Sequence, residues 1–569
     1  MRLPGFYQLY YQLKYLPLLL WRRPPMERKG FVGIQVDGLA YDYLVHAVEQ
    51  GRVPRVKRWL DTRQFKLAAY PAGLPSCTSY AQVGMFYGAN DDIPAFRWYE
   101  KADRRVVNCN RPHSVDYVRR RLGDRKGVLR GGSSYANLVD GDASRSAWTA
   151  NSSVPRSFFE DLGGFRFFLL VLLHPVRVVM TVLASVREVL LELYDRYWAR
   201  GNQRHTVGEG WFLIVRVLSN VVLRELQTVA VMADVYAGVP CIFTTFASYD
   251  ELAHHYGPRS RPALKNLNYV FGRIAEIEKI VRRMPGRHYD LIVLSDHGQT
   301  GGTPFLRLFG ATLGEVLHRH LEDRRVHVHT GGTEPTSVRI RGLVAERIGR
   351  KAERRGRLVG SALRWVARRI AGVADVEAYL PEKYYVDEDN DIVVTYSGTL
   401  ALVYFARWPE RLDDEAVRRE FPEVLDFLVG HAGVGLVATQ AKGEGVMLRS
   451  ARGVSRLAGG EVTVLEGDDP LAPYEAGPIA RRALERMVLF GNAGDLVLFG
   501  RYEDGQIVCF DDQVASHGCL GGPQFWPFLL VPNDPRFDQL AITDPRDLYG
   551  QLFEPYHVGE PESGGGGKT

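Results

Sequence analysis

The sequence predicts an α/β fold in which a mostly parallel central sheet carries helices on both faces. Three segments support this prediction: FVGIQVDG (31–38), VPCIFTTFASYDELAHH (239–255) and DLIVLSDHG (290–298). Each begins with a nearly continuous apolar run, which is typical of a strand that is buried on both faces and pairs in parallel. Helical patterns alternate with these runs, as they do in α/β proteins.

Two further segments add a predicted hairpin and a predicted helix. The segment DLVLFGRYEDGQIVCFDD (495–512) favours a β-hairpin with its turn at EDG. In YPAGLPSCTSYAQVGMFYGAN (70–90), the residues YAQVGMFYG favour a helix, so Thr78 would lie at its N-terminus. Free backbone N–H groups and the helix dipole favour an anion at that position.

Length and composition set the broad class of the protein. A chain of 569 residues is too long for one simple core, which predicts several domains or one large domain with insertions. It is 46% hydrophobic and 24% charged with a net charge of +6, so the whole chain is not a polyelectrolyte binder. The cysteines lack CxxC spacing, which argues against a cysteine zinc site or a disulfide framework and favours a reducing compartment. They are Cys77, Cys109, Cys241, Cys509 and Cys519.

Two long stretches interrupt the α/β alternation, so we predict one core that is built from three separate segments. The first stretch contains the apolar run FRFFLLVLLHPVRVVMTVLASVREVLLEL (165–193), which predicts one or two buried or interfacial helices. The predicted division is an amphipathic N-terminal segment (1–27), a first catalytic core segment (28–100), a first insertion with the apolar helices (101–235), a second catalytic core segment (236–304), a second insertion with Arg-rich helices (305–487), a third catalytic core segment (488–557) and a disordered tail (558–569).

Three features bear on membranes and location. The N-terminus lacks the cleavage site of a signal peptide, and charged residues interrupt the 165–193 run, so neither a signal peptide nor a transmembrane helix is predicted. The N-terminal segment suits a helix on a membrane surface or a segment packed on the body. The stretch from Arg339 to Arg369 contains eleven Arg or Lys residues and two Glu residues. It would form a solvated basic face, or it would contact an anionic lipid or a polyanionic substrate. We expect a cytoplasmic or peripheral membrane protein, without a specific nucleic-acid motif.

Six acids and imidazoles follow the predicted strands or lie beside glycines and turns. Asp250 and His254 are four residues apart, so one helical turn places them on the same face. Functional groups of an open α/β sheet gather at the carboxyl ends of its strands. The six residues are Asp37, Asp250, His254, Asp296, His297 and His517.

This residue set points to metal chemistry. Imidazole nitrogen and carboxylate oxygen together bind zinc-like or manganese-like ions. Six ligands are too many for one tetrahedral ion but suffice for two ions if one more oxygen joins, and the Thr78 hydroxyl is the candidate. Each residue alone also has a structural interpretation, because a strand-end Asp often forms a turn and a Thr often caps a helix. The ordered set as a whole favours a metal centre.

The motifs resemble those of the alkaline phosphatase superfamily, especially its type I phosphodiesterase/nucleotide pyrophosphatase branch. The resemblance covers the three predicted core segments and implies an alkaline-phosphatase-like central sheet, whereas the two insertions resemble nothing that we can name. The motifs follow the family's order: strand-Asp-Gly (Asp37), Pro-Ser-x-Thr (Pro75 to Thr78), Asp-x-x-x-His-x-Tyr-Gly-Pro (Asp250 to Pro258), Ser-Asp-His-Gly (Ser295 to Gly298) and a late His-Gly (His517 and Gly518).

The resemblance implies two divalent ions, zinc or manganese, and a threonine nucleophile. Thr78 would attack phosphorus, and water would then hydrolyse the phospho-threonine intermediate. The implied ligands are Asp250, His254 and His517 for one ion, and Asp37, Thr78, Asp296 and His297 for the other.

The phosphate pocket departs from the family pattern. The family places an Asn after its nucleophile segment, where it binds a phosphate oxygen; here Asn90 comes early, and Arg97 is the alternative. Cys77 is a rival nucleophile of the kind that sulfatases use, but their Cys-x-Pro-Ser-Arg motif is absent.

The sequence therefore predicts a two-metal hydrolase of phosphate esters, and the resemblance favours diesters. Its expected substrates carry a lipid head group, a cell-envelope polymer or a nucleotide, and the protein would work at an anionic membrane surface. Two alternatives stay open: a phosphomonoesterase or phosphotransferase on the same site, and a non-catalytic metal-binding scaffold protein.

Overall fold

The computed structural model describes residues 28–150, 175–197, 217–283, 287–321, 326–329 and 391–557. The predictions for the N-terminal segment (1–27), the Arg-rich run (339–369) and the tail (558–569) lie outside these residues.

The strands of the described residues fall into four sheets. They are, in chain order, β1 (Gly30–Val36), β2 (Phe65–Ala69), β3 (Arg97–Glu100), β4 (Arg105–Asn108), β5 (Ser133–Tyr135), β6 (Arg145–Ala147), β7 (Cys241–Phe246), β8 (Tyr289–Leu294), β9 (Thr300–Pro304), β10 (Val326–His329), β11 (Ile392–Ser397), β12 (Leu400–Phe405), β13 (Val434–Gln440), β14 (Val446–Ser450), β15 (Gly453–Ala458), β16 (Glu461–Gly467), β17 (Leu496–Gly500), β18 (Tyr502–Glu503), β19 (Gln506–Cys509), β20 (Ala515–Ser516) and β21 (Phe528–Pro532).

The helices lie between these strands. They are α1 (Tyr41–Glu49), α2 (Pro54–Asp61), α3 (Thr78–Tyr87), α4 (Pro112–Arg121), α5 (Pro175–Tyr197), α6 (Arg224–Ala237), α7 (Ser248–Tyr256), α8 (Arg261–Arg283), α9 (Phe305–Phe309), α10 (Leu313–His320), α11 (Asp414–Glu420), α12 (Pro422–Gly430), α13 (Pro478–Val488) and α14 (Pro545–Leu548).

The central sheet has the order β2-β21-β8-β1-β7-β5-β6. Strands β8, β1, β7, β5 and β6 pair in parallel, and β21 is antiparallel to both of its neighbours. The predicted α/β class with a mostly parallel central sheet is therefore confirmed. The three segments that predicted it supply β1, β7 and β8.

The residues of β1 show why the sheet is covered on both faces. Val32, Ile34 and Val36 alternate along the strand and pack into one core cluster with side chains of α1, α2, α6 and α8. Phe31 points to the other face and joins a second cluster, which includes side chains of α3. All seven residues of β1 are buried, so the strand is covered on both faces, as parallel central strands usually are.

A second, eight-stranded sheet has the order β10-β11-β12-β17-β13-β14-β15-β16. Apart from the parallel pair β10 and β11, its neighbouring strands are antiparallel. Strands β18 and β19 form the predicted hairpin, whereas β17 lies inside this second sheet. Strands from a predicted insertion and a predicted core segment thus share one sheet, and the segment boundaries stay a prediction.

The described part of the apolar 165–193 run is the single helix α5. Arg177 on this helix pairs with Glu225 and Glu276, so one face contacts the body. Many of its apolar side chains are exposed instead of buried: Val176, Val179, Met180, Val182, Leu183, Val186 and Leu190. Within the described ranges, no helix combines the length and the apolarity that crossing a membrane requires.

Candidate active site

The carboxyl ends of β1, β7 and β8 bring the sequence motifs together. Val36 in β1 lies opposite Phe246 in β7, and Gln35 lies opposite Leu294 in β8. Parallel strands in register end at the same edge, so the residues that follow them meet there. Asp37 comes directly after β1, α7 starts two residues after β7, and Asp296 follows β8 by one residue.

His517 reaches this edge through the small sheet β18-β19-β9-β20. Strand β9 continues the chain after His297, and β20 pairs antiparallel with it, with Ser516 opposite Thr300. The His517 ring then stacks on the His297 ring, with centroids 3.6 Å apart and an interplanar angle of 20°. A residue from the far end of the chain is in this way placed against the β8 motif.

Thr78 is the first residue of α3, as the sequence predicted. Its hydroxyl lies 3.5 Å from Asp37 Oδ1 and 3.2 Å from His297 Nε2. The whole helix is buried, so its N-terminus faces the carboxylates and not open water. The hydroxyl is therefore held within hydrogen-bonding range of both a carboxylate oxygen and an imidazole nitrogen.

The three histidines share one orientation. In each ring Nδ1 is within hydrogen-bonding distance of a backbone carbonyl oxygen. His254 Nδ1 lies 2.8 Å from the Ala515 oxygen, His297 Nδ1 lies 2.9 Å from the Gly298 oxygen, and His517 Nδ1 lies 2.8 Å from the Ser76 oxygen. A carbonyl oxygen only accepts hydrogen bonds, so Nδ1 carries a proton in each ring and Nε2 is the nitrogen that is left to face the site. Metal-binding histidines commonly use their second nitrogen in this way, because the carbonyl sets the tautomer and the ring direction.

Asp250 and His254 lie one turn apart on α7 and face each other, with Oδ2 and Nε2 3.1 Å apart. Burial raises the pKa of the Asp250 carboxyl, but His254, His517 and His297 outweigh burial, and the net effect lowers its pKa below the ordinary value. Gln299 donates to Asp250 Oδ1 and to its backbone oxygen. Asp250 is thus held as a buried, ionised carboxylate.

The donor set fits divalent cations. Several carboxylates are buried at this edge, and the ion-pair partners of Asp250 and Asp296 are imidazoles, not Lys or Arg. Asp296 Oδ2 is buried without a hydrogen bond among the described residues, and His297 Nε2 lies 3.4 Å from it. Burying a carboxylate costs several kcal/mol unless an opposite charge compensates. A cation bound between these oxygens and nitrogens would supply that charge.

Among the described residues, two groups of side chains offer ligand atoms that lie within 4.8 Å of the other ligand atoms of the same group. One is Asp37, Asp296 and His297, which are three of the four ligands that the resemblance implied for one ion. The other is Asp250, His297 and His517, in which His297 stands where His254 was expected. His254 lies beside this group through its contact with Asp250, so all seven predicted residues lie at one edge of the sheet.

The structure places Arg97 and Asn90 in buried polar networks. Arg97 donates to the Tyr396 carbonyl oxygen at 2.8 Å and pairs with Asp511 at 3.2 Å. The Asn90 side chain donates to Asp544 and accepts from Arg486, both at 2.9 Å. These contacts join distant segments of the fold, so they lend no support to phosphate binding, and that role stays a prediction for both residues.

A buried chain of amides behind the site was not found from the sequence. Gln35 Nε2 donates to Asp37 Oδ1 at 3.2 Å, and Gln82 Nε2 donates to Gln35 Oε1 at 2.9 Å. Gln82 lies on α3 one turn after Thr78, so these bonds tie the helix of the hydroxyl to the strand of the carboxylate. The sequence signal for it was a single Gln, Gln35, inside the apolar run of β1. In the structure that Gln is fully buried.

Comparisons with known proteins give structural matches only. No protein-family model matches the chain, and neither does any curated protein. Phosphonoacetate hydrolase from Sinorhizobium meliloti 1021, in complex with phosphonoformate, superposes with a TM-score of 0.42 at 14% identity, over 94% of this chain and 97% of that one. Murine ectonucleotide pyrophosphatase/phosphodiesterase 5 gives a TM-score of 0.42 at 12% identity, over 93% and 95%.

The wild-type alkaline phosphatase PafA superposes with a TM-score of 0.44 at 11% identity, over 90% of this chain and 92% of that chain. The chain is thus similar, along most of its length, to structures named for both groups that its motifs resemble.

Proposed function

We propose that the protein is a metal-dependent hydrolase of phosphate esters that prefers phosphodiesters and uses Thr78 as its nucleophile. One observation carries the proposal: the Thr78 hydroxyl, at the start of a buried helix, lies 3.5 Å from Asp37 Oδ1 and 3.2 Å from His297 Nε2. A structural Thr cap would not need two groups of buried carboxylates and imidazoles around it.

The residues of the chain supply binding and orientation. The free N–H groups at the start of α3 favour an anion, so a phosphate group would lie there in front of the Thr78 oxygen. Asp37 accepts a hydrogen bond from the hydroxyl and aims its oxygen, while Gln35 holds the Asp37 carboxylate from behind. Burial of these side chains excludes bulk water, which strengthens each electrostatic interaction at the site.

In the first half-reaction the Thr78 oxygen would form a bond to phosphorus and the ester's alcohol would leave. In the second, water would displace the Thr78 oxygen, which regains a proton, and the remaining phosphate monoester would depart. When bound, divalent cations lower the pKa of a nearby hydroxyl and neutralise charge on a phosphate oxygen. The mixed Asp and His donors suit zinc or manganese.

Hydrolysis of bis-(p-nitrophenyl) phosphate by the purified protein tests this proposal. We expect turnover that EDTA abolishes and that zinc or manganese restores. Thr78→Ala and Asp296→Ala should lower turnover by more than about 10³-fold, because each removes a group at the reacting centre. Thr62→Ala changes an exposed Thr whose hydroxyl bonds to the preceding helical turn, so it is the matched control with full activity.

Other outcomes of these assays would favour one of the two alternative functions. Faster turnover of p-nitrophenyl phosphate than of the bis-ester would identify a phosphomonoesterase. Bound metal without turnover of either ester would contradict the catalytic proposal and leave a metal-binding scaffold protein. The lipid, polymer or nucleotide portion of the substrate and the cytoplasmic or peripheral location stay predictions from the sequence.

A further inference from the structure

An exposed basic groove lies beside the candidate active site; it is defined by Arg52, Arg55, Arg259, Arg261 and Lys265. Four of these cations line one hollow of about 440 Å³. Arg55 joins them through its hydrogen bond to Asn268, which lines the same hollow. Two chain segments supply the groove: residues 52–55, at and just before the start of α2, and residues 259–265, which run from the loop after α7 into α8.

The cations of the basic groove lack carboxylate partners within the described stretches of the chain. Elsewhere the described arginines are commonly paired, as Arg449 is with Asp414 and Arg486 is with Asp544. Neighbouring like charges repel, and the dipole of α8 disfavours the cations in its first turns as well. This arrangement costs stability in the free protein, and an anionic ligand would offset that cost.

The basic groove continues toward the candidate site. Arg259 lines both its hollow and an adjoining cavity of about 830 Å³, which Tyr43, Tyr256 and Tyr502 also line. The Arg259 guanidinium lies 5.0 Å from the centre of the Tyr43 ring.

Helix α7 connects the two places. Asp250 and His254 lie on this helix, and it ends at Tyr256, three residues before Arg259. Six helical residues span about 9 Å, so Asp250 and the adjoining cavity are separated by a distance that a few linked phosphate groups would bridge.

We propose that the basic groove binds further phosphate groups of a substrate that is a linear chain of phosphodiesters, while one diester of that chain lies at Thr78. This inference rests on the proposed function and narrows its substrate class. Guanidinium groups bind phosphate oxygens through paired hydrogen bonds, and ammonium groups bind them as point charges. The tyrosines of the adjoining cavity would contact the groups between the phosphates.

Binding and turnover test the inference separately. The probes are oligothymidylates with one, three and seven phosphodiesters and glycerol-phosphate oligomers of the same phosphate counts. Binding is measured by fluorescence anisotropy on the Thr78→Ala protein, which does not cleave them, over a range of salt concentrations. Affinity should rise with phosphate count and fall with salt.

The double variant Arg259→Ala, Lys265→Ala should weaken binding of the longest probes about tenfold and reduce the slope of log affinity against log salt by about 1.4, since each lost phosphate contact in a single strand contributes about 0.7. The matched control is Arg418→Ala, Arg419→Ala, which removes two exposed cations from α11 beside the second sheet and should leave both quantities unchanged.

Equal effects with both polymers would show that the phosphate chain itself is recognised, and an effect with one polymer would support the groove and identify its source. Binding that does not depend on phosphate count, or that the groove variant and the control change equally, would overturn the inference. Absence of turnover of bis-(p-nitrophenyl) phosphate would overturn the proposed function instead, and the binding result distinguishes the two failures.

Discussion

The central sheet and the second, eight-stranded sheet both contain fully buried strands, such as β1 and β12, yet they contribute to the site in different ways. Asp37, Asp250, Asp296 and His297 follow strands of the central sheet, while none of the seven candidate residues lies on the second sheet. Parallel strands end at one edge, whereas antiparallel strands end alternately at two. Parallel pairing therefore concentrates chemistry from distant regions of the sequence, and antiparallel pairing does not.

The second sheet contributes by holding the His517 loop. Thr399, between β11 and β12, donates its backbone N–H to the His517 carbonyl oxygen at 3.0 Å. Its hydroxyl accepts from the Cys519 backbone N–H at 3.2 Å and donates to Gln524 at 3.0 Å. The contrast is thus between a sheet that supplies ligands and a sheet that supports one of them.

Gly38→Ala tests whether the strand ends of the central sheet position the ligands. Of the changes that probe the contrast between the two sheets, it has the largest expected effect. Gly38 has a φ of 68°, and a Cβ there would lie 2.1 Å from Asp250 Oδ1. The added methyl would push Asp250 out of the metal ligand set, so we expect kcat/KM and metal affinity to fall by about 10²-fold or more. Steady-state kinetics and metal titration by calorimetry measure both.

The matched control is Gly238→Ala, at the opposite edge of the same sheet. Gly238 has a φ of 72° and nothing within 4 Å of a built Cβ. It should cost about 1–2 kcal/mol of stability from backbone strain but keep activity. Equal loss of metal affinity in both variants would show that the strand-end geometry is not what matters.

Gly398→Ala tests whether the second sheet supports the His517 loop, and its expected effect is smaller. Its φ is 67°, and a Cβ would lie 2.2 Å from the His517 carbonyl oxygen. Displacing a group that orients a ligand typically lowers metal affinity by about 10- to 100-fold, so we expect about a tenfold loss of affinity and turnover. Gly459→Ala, in the β15–β16 turn with a φ of 59° and nothing within 4 Å, should change only stability. If Gly398→Ala keeps normal metal affinity, the second sheet does not support the site.

Metal binding should stabilise the two sheets unequally, which is the smallest of the expected effects. At a metal concentration about one hundred times Kd, binding adds about 2.7 kcal/mol to the free energy of unfolding. We expect amide hydrogen exchange to slow most at Gly38 and Leu39. Their backbone N–H groups donate to the side chains of Asp296 and Ser295, respectively. Where exchange occurs through local opening of the folded protein, the exchange rates of amides in β14 to β16 should change little. Uniform slowing across both sheets would contradict a localised centre.

Particular residues show how far sequence reasoning reached and where it stopped. The apolar runs of β1, β7 and β8 predicted buried parallel strands, because such strands need apolar side chains on both faces. The four-residue spacing of Asp250 and His254 predicted their shared helical face, which the 3.1 Å contact confirms. The amide chain through Gln35 and Gln82 was missed, since an isolated Gln carries no local pattern.

The sequence by itself determined the buried strands β1, β7 and β8, the position of Thr78 at a helix start and the set of acids and imidazoles at the strand ends. These follow from local periodicity and composition, which act over a few residues. Only the tertiary structure decided that His297 belongs to both groups of ligand atoms, that Arg97 pairs with Asp511 and that cations from two distant segments, without carboxylate partners among the described residues, form one groove. Those facts depend on distances between residues far apart in the chain, and such distances are set by packing and not by local pattern.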